Sequence, residues 1–385
     1  MVPSAEPMIY ADNAATTKIS DTVLEKMLPF LQGQYGNASS SYSLGAKSKQ
    51  ALSQARCQAA RILGAEITEI FFTSGGSESN AWVIRGVAEA YRREPVHIIT
   101  SSMEHPSVLN ACRALEAQGV EVTYLPINSL GVVSSDDLQA ALKPGTKLVS
   151  LMLANNEIGA IQPIAEIGEL LRGRDILFHT DAVQAVGRIP VEVNKMGVDF
   201  LSASAHKFHG PKGTGILFAR SGIKLPQLIF GGGQEGGLRG GTENVAGIVA
   251  TGYALEESSA HMEENAGKLK AMIDITLARI KDRIPHTQIN GGIDKRLPFI
   301  INLRFEGVSG EAIMNMLDAK GVCISTGSAC HSGKDISSHV LMALGISADE
   351  ARSSLRISYG RFNTITEAIT VADAICEAYG MLVSA

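Results

Sequence analysis

The segments ILFHTDAVQAVG, residues 176–187, and DFLSASAHKFHGPKGTG, residues 199–215, decide the fold. Each opens as an apolar run and ends on polar groups. The first run ends at Asp181, with Gln184 three residues on; the second ends at Ser204 and His206, and Lys207 follows at once. Runs of this kind read as buried parallel strands. In open α/β sheets, ligands gather at the carboxyl ends of such strands. An amine placed there can form an imine with an aldehyde cofactor, and an aspartate on a neighbouring strand can keep a pyridine nitrogen protonated. Pyridoxal 5'-phosphate (PLP) requires that pair. Taken singly, a lysine after a strand is an ordinary surface charge and an aspartate an ordinary helix cap. Together, and with Ser204 and His206 placed to hold a phosphate, they point to a cofactor site.

The pattern repeats on both sides. Strand-like runs at 69–73, 97–102, 120–127 and 147–153 alternate with helical stretches at 21–31, 46–63 and 164–172, with Asp21 the expected cap of the first. Strands alternating with helices of about ten residues imply a mostly parallel sheet covered on both faces. The 69–73 run leads through Ser74-Gly75-Gly76-Ser77 into a helix, and a helix start with free N–H groups suits a phosphate. Gly76 and Ser77 are the candidates there. Other strand ends deliver His105, which can lie flat on a cofactor ring, and Asn156, which with Gln184 can donate to a ring hydroxyl. The loop 33–45, small and rich in hydroxyls, reads equally as a surface loop or as a substrate lining.

Bulk properties exclude several classes. With 385 residues and 45% hydrophobic content, the chain can bury a large core. A net charge of -5 implies no broad basic surface for nucleic acid. No apolar run approaches a membrane span, and the first residues lack the basic start and apolar centre of a signal peptide. The five cysteines are odd in number, widely spaced and free of CxxC pairs. This argues against a disulfide framework or a zinc site and for a reducing, cytoplasmic setting. No metal site is expected. Gly231, Gly233 and Gly236 spell GxGxxG, but outside a βαβ unit, so a tight, mobile loop near an interface is the better reading than a dinucleotide site.

A long helical pattern over 245–284 closes this region. Beyond it come strands at 299–305, 322–326 and 355–360, with helices at 310–320 and 366–382, which read as a smaller α+β domain. The expected division is 15–255 for the large domain, and 1–14 with 256–385 for the small one. Cys330 sits in the polar, glycine-rich TGSACHSGK beside His331, a setting that favours a reactive thiol; Cys57, Cys112, Cys323 and Cys376 lie in apolar patterns and read as packing. Arg356 is a candidate for a bidentate grip on a substrate carboxylate, or else an ion pair.

Several motifs together carry a resemblance: TSGGSESN (73–80), EHPSV (104–108), NNEIGAIQP (155–163), HTDAVQAVG (179–187), SAHKFHGPKG (204–213), GTEN (241–244) and STGSACHSG (325–333). From YADNAATT near the start to SSLRISYGRF near the end, the chain resembles the cysteine desulfurases of the class V, fold type I PLP enzymes. The resemblance implies an α/β fold with a large, mostly parallel sheet domain and a smaller α+β domain. It implies Lys207 as the cofactor-bound lysine, Asp181 as partner of the pyridine nitrogen, Gln184 and Asn156 near the ring hydroxyl, and His105 on the ring face, assisting proton transfer. Gly76, Ser77, Ser204 and His206 would hold the phosphate. Thr242 would reach the phosphate of a neighbouring subunit, which implies a homodimer. Cys330 would take sulfur from L-cysteine as a persulfide, leaving L-alanine, and Arg356 would anchor the substrate carboxylate.

The implied acceptors are iron–sulfur assembly proteins or tRNA-thiolation enzymes, the group with the longer cysteine loop. Three features depart from the family pattern: Ala38 and Tyr42 replace Pro and His in GNASSSY, Gly236 replaces Arg, and the chain ends soon after its last helix. They bear on substrate-loop detail and partner choice and leave the cofactor residues intact. The alternatives are a selenocysteine lyase, an aminotransferase-like relative needing no thiol, and a non-catalytic sulfur-relay partner.

Overall fold

The protein is described by a computed structural model that covers residues 8–326 and 337–384. Its strands, in chain order, are β1 (Ile9–Tyr10), β2 (Ile70–Thr73), β3 (His97–Ser101), β4 (Glu121–Leu125), β5 (Thr146–Ser150), β6 (Leu177–Asp181), β7 (Phe200–Ser204), β8 (Gly215–Ala219), β9 (Gln288–Ile289), β10 (Ile300–Arg304), β11 (Val322–Cys323) and β12 (Ser354–Ser358). Seven of them form one sheet in the order β2-β8-β7-β6-β5-β3-β4. The pairs β7–β6, β6–β5, β5–β3 and β3–β4 are parallel, and β8 runs antiparallel to both β2 and β7. The carboxyl ends of β2, β3, β5, β6 and β7 therefore face one crevice. Strand β8 was not anticipated from its sequence. The turn before it holds two left-handed residues, His209 at φ 66° and Gly213 at φ 78°. His209 is fixed there by its N–H to Thr17 Oγ1 and its ring to Lys18 O.

Strands β3, β7 and β8 are buried along their whole length, as a sheet covered on both faces requires. The two edges are closed chemically. At β4 the exposed Glu121 pairs with Lys143. At β2 the backbone groups left open by the missing neighbour are taken by side chains: Arg56 donates to Ile70 O, and Phe72 N donates to Glu235 Oε2 at 2.9 Å. Arg56 and Glu235 also grip each other in a fork at 2.7 and 2.8 Å. The glycine-rich segment expected to be a mobile loop is thus held to the sheet edge by Glu235 and to the helix Gly76–Ala90 by Arg239–Glu78.

Helices fall close to the expected spans, with three corrections. Ser20 is the N-cap of Asp21–Leu31, and Asp21 lies in the first turn beside Lys18. The helical pattern 245–284 breaks at His261 into Val245–Ala260 and Met262–Arg283. Cys57, expected as packing, is exposed on the helix Ser43–Leu63, whereas Cys112 and Cys376 are buried.

Beyond residue 284, β10 is flanked by β12 and β9, both antiparallel to it, while β1 pairs in parallel with β11. The helix Ile365–Val383 starts at a capping box formed by Thr364 and Glu367. Its buried face joins a core that runs without interruption from Leu201 and Phe208 to Ile301, Leu303 and Ile375. Among the described residues, no helix is long and apolar enough to cross a membrane.

Candidate active site

Five strand ends and the chain's N-terminal segment enclose a cavity of about 330 Å³. Ten of the residues singled out in the sequence line it: Gly76, Ser77, His105, Asn156, Asp181, Gln184, Ser204, His206, Lys207 and Arg356. A larger cleft of about 830 Å³ around Trp82, Arg85, Pro226 and Phe230 contains none of them. Thr242 stands apart, exposed in the glycine-rich segment beside Glu243 and Asn244. Cys330 lies outside the described residues.

Lys207 is the last residue of a single 3-10 turn, Ala205–Lys207, that continues β7. Its Nζ donates to the carbonyls of Ala14 and Ala15 at 2.5 and 2.7 Å. Its own carbonyl is clamped by the buried Arg188 guanidinium through Nε and Nη2, at 2.9 and 2.7 Å, so the backbone beneath the amine is fixed. Gln184 reaches the same N-terminal segment, donating to Ala14 O at 2.8 Å. Asp181 ends β6 with each carboxylate oxygen engaged: Oδ1 accepts from Val183 N at 3.0 Å and Oδ2 from Asn80 Nδ2 at 2.7 Å. Two fixed donors therefore hold this buried carboxylate at the cavity wall.

At one end of the cavity the helix Gly76–Ala90 presents its first turn, whose backbone N–H groups have no intrahelical acceptor. Gly75 precedes it at φ 154° and ψ 179°, a conformation open essentially to glycine. A Cβ at Gly76 would lie 2.5 Å from Val183 Cγ2, so that position admits only hydrogen against the β6 turn. Ser77, Ser204 and His206 complete this end. The His206 ring is bonded to Thr16 Oγ1 at 3.0 Å, and burial, with Lys207 and Lys212 nearby, pushes its pKa down to about 4. It is therefore a neutral hydrogen-bonding group at physiological pH. An anionic tail fits the helix end and the hydroxyls, and a ring carrying a basic nitrogen fits Asp181. The residues present thus suit PLP.

At another wall, Arg356 on β12 is buried at 3% exposure. Nη2 donates to Asp12 Oδ1 at 2.6 Å and Nη1 to Asn156 O at 3.1 Å, while Nε has no partner among the described residues. It is no surface ion pair; each Nη carries a second hydrogen that these bonds leave unused, and Arg356 lines the cavity.

Sequence reasoning passed over Asn80, Ser107, Asp12 and Glu104. Asn80 lies one helical turn beyond Gly76, and that spacing was the available signal. Glu104 is fully buried, accepting at Oε1 from Ser101 Oγ at 2.7 Å and from Met152 N at 2.9 Å. Burial pushes its pKa up to about 8, so the acid next to His105 is largely neutral at pH 7.

The class-V aminotransferase family model matches residues 9–370. A cysteine desulfurase IscS from Methanosarcina thermophila is 47% identical over 383 residues, covering 98% of this chain and 93% of that protein. The putative cysteine desulfurase IscS 1 of Bacillus subtilis is 44% identical over 96% of this chain and 98% of its own length. Among solved structures, a NifS-like protein superposes with a TM-score of 0.92 at 36% identity, covering 97% of this chain and all of that one. SspA in complex with cysteine superposes with a TM-score of 0.82 at 38% identity, covering 92% of this chain and all of that one. With the fold, the strand-end cavity and this similarity along nearly its whole length, the chain belongs to the class-V aminotransferase family, on its cysteine desulfurase branch.

Proposed function

We propose that the protein is a PLP-dependent cysteine desulfurase that converts L-cysteine to L-alanine and takes the sulfur onto Cys330. The observation that carries the reading is the convergence of Lys207, Asp181 and Arg356 on one cavity. When bound, PLP supplies an electron sink that acidifies the substrate Cα–H. The rest falls to the chain. Gly76, Ser77, Ser204 and His206 hold the phosphate, Asp181 holds the ring nitrogen protonated, and Asn156 and Gln184 flank the ring hydroxyl. Arg356 receives the substrate carboxylate through the spare hydrogens of Nη1 and Nη2. Lys207 moves the Cα proton once its amine is released, and His105 covers the ring face.

The Cys330 thiolate attacks the substrate sulfur. The substrate C–S bond breaks, a sulfur–sulfur bond forms on Cys330, and L-alanine leaves. No outside oxidant is needed, because cysteine plus thiol becomes alanine plus persulfide. Delivery to an iron–sulfur assembly protein or a tRNA-thiolation enzyme belongs to the same proposal. So do the homodimer with Thr242 at the neighbour's phosphate, a cytoplasmic location, and the division into residues 15–255 and 1–14 with 256–385.

Purified protein incubated with PLP and L-cysteine is expected to yield alanine, with added sulfur mapped by mass spectrometry to Cys330 and not to the exposed Cys57. Cys330→Ala should keep the cofactor's visible absorbance and lose sulfur transfer, whereas Lys207→Ala should lose the wild-type absorbance. Full sulfur transfer by Cys330→Ala, or an unchanged spectrum in Lys207→Ala, would refute the assignment.

A further inference from the structure

His105 is the N-cap of the helix Pro106–Glu116, and its Nδ1 accepts the backbone N–H of Ser107 at 3.1 Å. The same Nδ1 lies 2.8 Å from Ser107 Oγ. Ser107 Oγ also lies 2.9 Å from Asn80 Nδ2, which in turn lies 2.7 Å from Asp181 Oδ2. Elementary donor and acceptor rules give this chain a direction. A carboxylate oxygen accepts, so the Asn80 group facing Asp181 is its NH₂, whose second hydrogen goes to Ser107 Oγ. Asn80 Oδ1, on the other side, is buried without a partner among the described residues. Ser107 Oγ, having accepted from Asn80, gives its own hydrogen to His105 Nδ1. That nitrogen then accepts twice, from the hydroxyl and from the backbone N–H, and has no room for a proton of its own.

We propose that Ser107, oriented by Asn80, is a positioning residue that holds His105 in the tautomer with its proton on Nε2. This rests on the desulfurase reading for its function, in which His105 covers the cofactor ring, but not for its geometry. His105 then offers the cavity an N–H donor. It takes up a proton at Nδ1 only by turning the Ser107 hydroxyl away and breaking the helix cap. The groups acting on the ring agree: burial, Lys207 and His339 disfavour the imidazolium, and Asp181 alone favours it. The Cα proton is accordingly left to Lys207.

The test uses the full chain labelled with ¹⁵N-histidine, with and without bound PLP, and the His105 signals assigned by their loss in His105→Gln. The wild type is expected to show an unprotonated Nδ1 and a protonated Nε2 in both states. Ser107→Ala removes one of the two donors to Nδ1 and leaves the backbone N–H. The imidazolium should then form about 0.5–1 pH unit higher, the worth of one hydrogen bond. With L-cysteine, kcat should fall by about threefold to tenfold while KM stays within about twofold, and Ser107→Thr should restore both the titration and kcat. A proton on Nδ1 in the wild type, or a Ser107→Ala protein whose His105 titrates as in the wild type, overturns the proposal. The expected tautomer and its shift in a protein that makes no alanine would count against the desulfurase reading and leave this one standing.

Discussion

Arg356 shows how one residue serves structure and ligand together. Its guanidinium uses one hydrogen of Nη2 on Asp12 and one of Nη1 on Asn156 O and keeps the second hydrogen of each. A planar fork can hold one carboxylate inside the protein and still meet another from the cavity; a lysine, with one charged centre, cannot. Arg356→Lys is therefore expected to keep Asp12 paired and to give up the ligand. KM for L-cysteine should rise about tenfold, with kcat changed by less than about threefold, as for the loss of binding common to ground and transition states. Steady-state alanine formation checks this. Arg356→Ala should behave differently, because it strands the Asp12 carboxylate at 15% side-chain exposure. Its melting should show a loss on the order of 3 kcal/mol, in the range for breaking a buried pair. An unchanged KM in the lysine variant would remove Arg356 from the substrate grip.

Among elements, the helix Gly76–Ala90 and the turn after β6 are shaped to each other, and the contact is narrow enough to test. A methyl at Gly76 meets Val183 Cγ2 at 2.5 Å, and valine cannot swing its branched side chain far. Gly76→Ala should therefore push the two segments apart and weaken PLP binding by about tenfold, the equivalent of roughly 1.4 kcal/mol. Val183→Ala in the same chain should return the affinity to near wild type, since the clash is with that methyl alone. Equilibrium dialysis of PLP against the single and double variants checks this; failure of the second change to rescue would place the damage in the helix start itself.

The same comparison of elements explains what was legible. Asp181 and Lys207 stood out because strands buried on both faces are unbroken apolar runs, so their polar ends are conspicuous. The direction of β8 was not legible: GILFA has the same composition either way, and its reversal is set by the turn at His209 and Gly213. Asn80 was hidden because an asparagine inside a helix reads as neutral until Asp181 and Ser107 are found beside it. The break at His261 was hidden because helical periodicity continues on both sides of it.

Across the whole molecule, two buried acids stand where the large-sheet region meets the residues from 337 onward. Glu157 accepts from Ser338 Oγ, and the Glu104 carbonyl accepts from His339 Nε2 at 2.9 Å. Burial pushes the Glu157 carboxyl up to about 7 and that of Glu104 up to about 8, from an ordinary value of 4.5. Such a group binds its proton more tightly folded than unfolded. Its contribution to stability is therefore present below pH 4.5 and is lost as pH rises through the folded value. Histidines kept neutral by desolvation act in the opposite sense. His179 is pushed down to about 3, bonded by its ring to Ser150 and Ser202, and His206 is pushed down to about 4. They remove stability as pH falls below 6.5. Between pH 4.5 and 6.5 the two sets oppose each other, and above 6.5 the descending limb belongs largely to Glu104 and Glu157. Glu104→Gln isolates one term of that limb. Glutamine keeps an oxygen for Ser101 and Met152 N and cannot ionise. The variant should melt within a degree or two of the wild type at pH 5 and above it at pH 8.5, the gap widening from pH 4.5 up to about pH 8 toward a few kcal/mol. Melting curves at five pH values on the PLP-loaded protein measure it. A gap that does not change with pH would mean that Glu104 is as easily ionised in the folded chain as in the unfolded one, and the neutral acid beside His105 would have to be given up.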